Sequence, residues 1–161
     1  MKAMMSQLVM SGDVNGVNRL FGGKLMQWID ITGAIACRRQ ANGNHCVLHV
    51  ADSMQFMEAI KINDIVTIEA KVTWTGRTSV ECKVESSVED NHGARKLVNV
   101  AYMLYVAVDE SGNPIPVEPF VPATEEERAE WLAAEERRKT RIARERSVKK
   151  LQPPVEDAAT Q

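Results

Sequence analysis

The sequence predicts an α+β domain in which an antiparallel sheet wraps around one buried helix. One segment, from Gly22 to about Gln40, has a helical pattern and is apolar almost all the way round as far as Cys37. Four long segments with the two-residue period of strands follow it, joined by short turns. Because a helix that is hydrophobic on every side must be covered on every side, a sheet curved around it is the simplest arrangement.

The bounds of the elements follow from the turn residues between them. A first strand at 3–10 ends at Ser11-Gly12-Asp13, and the helix ends in Ala41-Asn42-Gly43-Asn44, a typical C-terminal exit. The four later strands are predicted at 45–56, 65–75, 79–88 and 97–108. The last of these is apolar on both faces, so we expect it to be a central strand.

A linker and a charged helix follow the sheet. Four prolines between positions 114 and 122 indicate an extended linker, and Thr124-Glu125-Glu126-Glu127 is a capping box that starts the helix. The first half of this helix is acidic, the second half is basic, and the period is poorly amphipathic, so we expect it to be mostly solvated. The sequence therefore predicts a domain at 1–122, a charged helix at 123–150 and a disordered tail at 151–161.

The candidate chemistry lies between Asn15 and Asp30, where a polar, turn-rich loop leads into the helix. Asp30 is two turns into the helix, among small and apolar residues, and burial should raise its pKa unless it is partnered. Gly22 and Gly23 place unpaired N–H groups and the positive end of the dipole at the helix start. Such a helix start can stabilise a carbonyl oxygen that develops negative charge.

Composition excludes several other classes of function. With a net charge of −2, the chain has no general attraction for nucleic acid or for a membrane surface. No apolar run approaches the roughly 20 residues that span a bilayer, and no signal peptide is evident. Cys37, Cys46 and Cys82 lack paired spacing, which indicates reduced core thiols and a cytoplasmic protein. His45 and His49 have no evident third ligand, so no metal site is expected.

Several segments together resemble the cytosolic acyl-CoA thioesterases of the hotdog fold. They are Asn15 seven residues before Gly22-Gly23, Leu-Met-x-Trp-Ile-Asp at 25–30, the run 33–39, the Asn63-Asp64 turn, Gly76-Arg77-Thr78-Ser79, and the run 102–109. The resemblance implies a central helix wrapped by an antiparallel sheet. It also implies a dimer whose sheets join edge to edge, within a larger homo-oligomer such as a trimer of dimers. The implied reaction is hydrolysis of acyl-CoA to a fatty acid and CoA, without metal or cofactor.

The resemblance further implies roles for the residues of the loop and helix. Asp30 matches the family's acidic residue, which works as base or nucleophile. Asn15 matches the asparagine that helps to position water or the thioester, and the two come from opposite subunits. Gly23 matches the residue whose backbone N–H polarises the thioester carbonyl, and Gly22 beside it is expected to contact the substrate.

The turn after the second long strand is expected near the nucleotide end of CoA, through Arg77, Thr78 and Ser79. Elsewhere the chain departs from the family. Asn18 stands where many relatives have glycine, which asparagine can replace because it tolerates left-handed backbone conformations. Glu58-Ala59 replaces a common Arg-Pro and Gln40 a common histidine, so the acyl-chain preference stays open.

Other functions stay open beside hydrolysis. A dehydratase-like hotdog enzyme would need an acid–base pair that usually includes a histidine, and neither His45 nor His49 lies in the loop leading to the helix. A non-catalytic acyl-CoA-binding regulator is the third possibility, although the presence of Asp30 and Asn15 argues against it. Taken alone, a buried helical aspartate is more often part of a structural network than a catalyst. The basic half of the last helix is either a solvated face or a contact for CoA phosphates or a neighbouring subunit.

Overall fold

The computed structural model describes residues 1–90 and 92–151, and the predicted disordered tail lies outside them except for Leu151, which ends the last helix. The elements in chain order are β1 (Lys2–Leu8), α1 (Gly22–Gln40), β2 (His45–Phe56), β3 (Ile65–Thr75), β4 (Ser79–Glu89), β5 (Arg95–Val108) and α2 (Glu125–Leu151). Each predicted helix and strand is therefore confirmed, within a few residues at each end.

The five strands form one antiparallel sheet in the order β1-β3-β4-β5-β2. β5 pairs on both sides, as its two apolar faces predicted, and β4 lies at the centre of the sheet. β2 and β3 follow each other in the sequence but lie on opposite sides of the sheet, so residues 57–64 carry the chain across it. The sequence pattern gave no indication of this crossover.

α1 packs across one face of the sheet, here called the inner face, and supplies most of the core with it. Its buried residues include Leu25, Ile29 and Cys37, which join the inner-face side chains of β3, β4 and β5 in one apolar cluster. The prediction that α1 is buried on every side is wrong for the single chain. Met26, Ile31 and Ile35 are 45%, 43% and 41% exposed, because the sheet covers only one side of the helix.

α2 packs on the opposite, outer face of the sheet. Most of its described residues are exposed, as predicted, but one side of it is buried on the sheet, which the sequence did not predict. Ala134 is fully buried and forms a small cluster with Trp74 and Leu104, and Trp131 and Val50 pack against it. Thr124 caps the helix as predicted, since its Oγ1 accepts a hydrogen bond of 3.1 Å from the N–H of Glu127, but the Glu127 carboxylate accepts its bond from the N–H of Ala123 and not from that of Thr124. Trp74 reaches the outer face because a β-bulge between Val72 and Trp74 breaks the alternation of β3.

Charged side chains hold α2 on the sheet. The carboxylate of Glu81, on β4, is fully buried and lies 2.7 Å from Arg137 Nη2 and 2.6 Å from Arg141 Nη1. Thr73 Oγ1 is a third donor residue to it, at 3.0 Å, and Arg141 also pairs with Asp52 of β2. These arginines therefore neutralise a buried charge of their own chain, which explains why a charged helix covers a sheet. Neither α1 nor α2 combines the length and the hydropathy that a membrane-spanning helix needs.

Candidate active site

Asp30 lies in the middle of α1, at the border between its buried and exposed sides. Ile29 and Gly33 beside it are buried, whereas Met26 and Ile31 are exposed and Asp30 itself is partly exposed. In the part of the chain that the structure describes, its carboxylate makes no ion pair. The sequence predicted a carboxylate enclosed within the domain, and the structure instead places it where it can meet a substrate or a second subunit.

The start of α1 presents two free N–H groups. Phe21 precedes the helix without a side-chain cap, and its carbonyl accepts hydrogen bonds from the N–H groups of Lys24 and Leu25, at 2.9 and 3.2 Å. Among the described residues, no acceptor faces the N–H groups of Gly22 and Gly23. These two donors stand at the positive end of the helix dipole, an arrangement that suits an anion or an oxyanion.

The two glycines lie against aromatic rings. A Cβ atom added to Gly23 would lie 2.7 Å from Phe21 Cε1, and one added to Gly22 would lie 3.8 Å from Phe56 Cζ. A side chain at position 23 would therefore displace Phe21 from the entrance to the helix. Both phenylalanines are more than half exposed, at 60% and 53%, so they border the free N–H groups from the solvent side. The sequence analysis did not identify either ring.

Asn15 lies in the loop between β1 and α1 and shapes that loop with its own side chain. Its Oδ1 accepts hydrogen bonds from the N–H groups of Val17 and Arg19, at 3.0 and 3.2 Å. Because both partners are N–H donors, these contacts require the oxygen at this position and leave the amide Nδ2 as an exposed donor. Asn18 in the same loop has a φ of 58°, which confirms the predicted left-handed conformation.

Some of the predicted site residues share a cavity. Asn15 and Gly22 border an open cavity of about 330 Å³ whose other walls are mainly apolar, from Leu20, Leu25 and Phe56 to Ile60. Gly23 borders a separate depression with Asp13 and Lys24. Asp30 borders neither, so within the described part of one chain Asn15 and Asp30 do not meet.

The predicted nucleotide-binding turn lies at the end of β3 and is held by its backbone. The N–H of Gly76 bonds the carbonyl of Ser79 at 2.8 Å, and the carbonyl of Thr78 accepts a bond of 2.9 Å from the N–H of Ala107. The linker after β5 also fixes this turn, since the N–H of Val117 bonds the carbonyl of Arg77 at 3.0 Å. The Arg77 side chain is exposed and makes no ion pair within the described chain. The turn shares no cavity with the start of α1.

One buried thiol and one phenol of the sheet, those of Cys82 and Tyr105, contact α1. Cys37 Sγ lies 3.1 Å from Cys82 Sγ, both thiols are free, and burial raises the pKa of Cys37 well above its ordinary value. Tyr105 Oη donates a hydrogen bond of 3.0 Å to the main-chain carbonyl of Asp30. The sequence analysis missed this contact, because it joins residues 75 positions apart. Its one local signal is Gly33, which makes room for the phenol.

The histidines of β2 take no part in this arrangement. His49 Nε2 lies 3.6 Å from the carboxylate of Glu145 on α2, at an exposed position. Across residues 1–90 and 92–151, no group of three or more His, Cys, Asp or Glu side chains is arranged to hold a metal ion.

The chain is similar to known proteins over the part that contains these residues. Residues 18–94 match the sequence model of the Thioesterase superfamily. An uncharacterized acyl-CoA thioester hydrolase of Bacillus subtilis is 39% identical over 131 residues, which are 78% of this chain and 73% of that protein. Two longer curated relatives are matched over 26% of their own length.

Solved structures match over most of the chain. An acyl-CoA hydrolase from Staphylococcus aureus in complex with butyryl coenzyme A and coenzyme A is 30% identical, with a TM-score of 0.86 over 93% of this chain and 92% of that one. A hexameric acyl-CoA thioesterase is 35% identical, with a TM-score of 0.83 over 89% and 92%. Two variants of the S. aureus enzyme have also been solved. In one, an aspartate is replaced by alanine, and in the other, an asparagine fifteen positions before that aspartate is replaced by alanine.

Proposed function

The chain belongs to the thioesterase superfamily of the hotdog fold, and from this premise we propose that it hydrolyses acyl-CoA thioesters to free CoA and a fatty acid. The observation that carries the proposal is the pair of free N–H groups of Gly22 and Gly23 at the start of α1, beside the cavity that Asn15 borders. The relatives, which are named acyl-CoA hydrolases and thioesterases, support the same substrate class. Asp30 also stands fifteen positions after Asn15, the spacing of the two substituted residues in the S. aureus enzyme.

In the proposed reaction, the oxygen of a water molecule attacks the thioester carbonyl carbon while Asp30 takes a proton from that water. The carbonyl oxygen becomes negatively charged and accepts a hydrogen bond from the N–H of Gly23, at the positive end of α1. Asn15 Nδ2 orients the water or the thioester. The carbon–sulfur bond then breaks, the carbonyl re-forms as the acid, and the CoA sulfur leaves as a thiolate. The proton that Asp30 took from water passes to this sulfur, which gives the thiol and restores the Asp30 carboxylate.

We propose that the complete site forms between two subunits, with Asn15 from one and Asp30 from the other. Three features support this arrangement. Asn15 and Asp30 border no common cavity in one chain, α1 exposes apolar side chains at Met26, Ile31 and Ile35, and β2 is an edge strand. An unpaired edge strand beside an exposed apolar helix is the kind of surface that a second copy covers. The hexameric relative is consistent with further assembly of the dimers into a trimer of dimers.

The outer parts of the substrate are assigned by position. Gly22 and the apolar cavity next to it would contact the acyl–pantetheine part of the thioester, and Arg77, Thr78 and Ser79 would contact the nucleotide of CoA. Arg77 is suited to this role because its exposed guanidinium makes no ion pair in the described chain. Residues 1–122 form the proposed catalytic domain and residues 123–150 the helix that covers its outer face. The cytoplasmic location stays a prediction from the sequence.

The proposal is tested by incubating the purified protein with acyl-CoAs of varied chain length and following the release of free thiol. We expect thiol release by the wild-type chain and its loss in Asp30→Asn, which keeps the shape of the side chain but cannot act as base. Glu110→Gln removes an exposed carboxylate in the turn after β5 and should leave the rate unchanged. Thiol release by Asp30→Asn at a near wild-type kcat would remove Asp30 from the mechanism, and binding without any thiol release by the wild type would indicate a regulator.

A further inference from the structure

The phenol of Tyr105 is the largest side chain that is fully buried, and it reaches α1 at the residue that the proposed mechanism uses as base. Its Oη donates to the main-chain carbonyl of Asp30 at 3.0 Å. A carbonyl oxygen has two lone pairs, so this bond is compatible with the intrahelical bond that the same carbonyl accepts. Among the described residues, nitrogen or oxygen donors bond α1 to the sheet at only one other place, where Arg39 at the helix end donates to the carbonyl of Lys2.

Gly33, one turn after Asp30, is the residue that lets the hydroxyl group come so close. A Cβ atom added at this position would lie 2.3 Å from Tyr105 Oη and 3.0 Å from its Cζ. No side chain fits there while the phenol keeps its place, and the contacting atom belongs to a ring packed in the core. Glycine destabilises the interior of a helix relative to alanine. The glycine is therefore explained by the space that the Tyr105 hydroxyl occupies and not by the stability of the helix.

The Asp30 carboxylate makes no ion pair in the described chain, and the phenol of Tyr105 is close to it, since, besides burial, the charge of Asp30 and a side-chain hydrogen bond to it both raise the pKa of Tyr105. The position of the carboxylate therefore depends on its own backbone and on this phenol. We propose that Tyr105 is a positioning residue for Asp30: by holding the Asp30 carbonyl against the sheet, it fixes where the carboxylate stands relative to the thioester. This inference rests on the proposed function of Asp30. A catalytic carboxylate must be held within about 0.5 Å of its productive place, and an anchor on its own residue is a direct way to hold it.

The hydroxyl group stays a donor throughout the working range of pH. Burial, and then the negative charge of Asp30, raise the pKa of Tyr105 far above its ordinary value. The phenol therefore remains protonated and cannot exchange its role with the carboxylate. Its contribution is geometric, so it should be visible in kcat and not in the affinity for CoA.

Tyr105→Phe removes the hydroxyl group and keeps the ring in the core. We expect kcat to fall about tenfold while KM changes by less than about twofold, because small displacements of a reacting group affect the chemical step and leave substrate binding intact. Tyr102→Phe is the matched control. It removes a hydroxyl from the same strand, where Oη faces Glu130 of α2 at 3.4 Å, and it should leave both constants unchanged.

A second pair of variants tests the contact itself. Gly33→Ala should lower kcat strongly in the wild-type chain and much less in the Tyr105→Phe background, since the closest clash, with Oη, is then absent. The two substitutions are therefore expected to be non-additive. Thermal unfolding of each variant, followed before the kinetics, sets an assay temperature at which all of them are folded.

The outcomes separate this inference from the function on which it rests. If Asp30→Asn is inactive and Tyr105→Phe behaves like Tyr102→Phe, Tyr105 does not position Asp30, although the mechanism stands. A Tyr105→Phe variant that loses CoA affinity and kcat in equal proportion would show a general structural role and would also overturn the inference. If Asp30→Asn hydrolyses acyl-CoA at a near wild-type rate, the site and the positioning role fall together.

Discussion

Replacing Glu81 by alanine tests whether α2 is an integral part of the domain. The carboxylate of Glu81 is 0% exposed and lies between Arg137 and Arg141, with Thr73 as a third donor. Its removal leaves Arg141, itself 5% exposed, with Asp52 as its remaining partner. Arg137 keeps only Glu130, 3.8 Å away, so the substitution leaves both arginines with weaker compensation of their charge beneath α2.

The expected loss in the free energy of unfolding depends on how far each arginine side chain is exposed to solvent. Removing one member of a buried ion pair costs about 3–5 kcal/mol of the free energy of unfolding. The Arg137 side chain is 20% exposed and can turn towards solvent, so the lower end of this range, about 3 kcal/mol, applies. For a chain of this length that corresponds to a fall in Tm of roughly 6–12 °C.

Glu69→Ala is the matched control, because Glu69 pairs with Arg95 at 2.8 Å on the surface, where both side chains are about half exposed. An exposed pair contributes about 0–1 kcal/mol, so Tm should fall by no more than roughly 3 °C. Both variants are unfolded by heat at one protein concentration and followed by circular dichroism. Equal, small changes in Tm for the two variants would mean that α2 does not cover Glu81, and the description of the outer face would be wrong.

Two further predictions concern the substrate and the thiols. Arg77→Ala should raise KM for CoA thioesters far more than it lowers kcat, because a phosphate contact remote from the carbonyl stabilises the bound substrate and the transition state almost equally. Equal losses of activity on CoA thioesters and on short thioesters that lack the nucleotide would show that Arg77 is structural. Cys37 and Cys82 are both fully buried and should react with a thiol reagent only after unfolding. Burial and the neighbouring thiol also raise the pKa of Cys37, which slows its reaction further. Mass spectrometry of the labelled chain measures this, and rapid labelling of either residue in the native protein would contradict the packing of α1 on β4.

Much of the fold could be predicted from local patterns. α1 begins at Gly22 and ends at Gln40 as predicted, because its end is fixed by turn residues whose conformations the structure confirms, Asn42 at a φ of 51° and Gly43 at 87°. The strands were equally predictable, since alternation marks them along most of their length. The order of strands was not, because a two-residue period shows which face a side chain takes and says nothing about which strand lies beside it.

Errors arose where charge and burial coincide. The basic half of α2 was expected to be solvated or to contact CoA phosphates or a neighbouring subunit, because nothing in the local sequence shows that Arg137 and Arg141 have a partner as distant as Glu81. The local pattern also gives no sign of the β-bulge that places Trp74 on the outer face. The helix α1 was predicted to be buried on every side, since composition cannot separate burial within one chain from burial against another.

The candidate site was predicted as a set of residues and not as a geometry. Gly22 and Gly23 were identified from helix physics, and the structure places their N–H groups free at the start of α1. The roles of Asn15, Asp30 and Arg77 came from the family resemblance and stay predictions. The contact between Tyr105 and Asp30 could not be found, because a long-range hydrogen bond to a main-chain carbonyl leaves no trace in a local pattern beyond the glycine beside it.

The central claim is that each active site takes Asn15 from one subunit and Asp30 from the other, and mixed dimers measure it directly. Asn15→Ala and Asp30→Ala homodimers should each be nearly inactive. Unfolding and refolding equal amounts together makes about half of the dimers mixed, and each mixed dimer has one site with both substitutions and one with neither. Free-thiol release should therefore return to about one quarter of the wild-type rate. No recovery, in a sample whose mixed dimers are verified by mass spectrometry, would mean that both residues act within one subunit and that the proposed site is wrong.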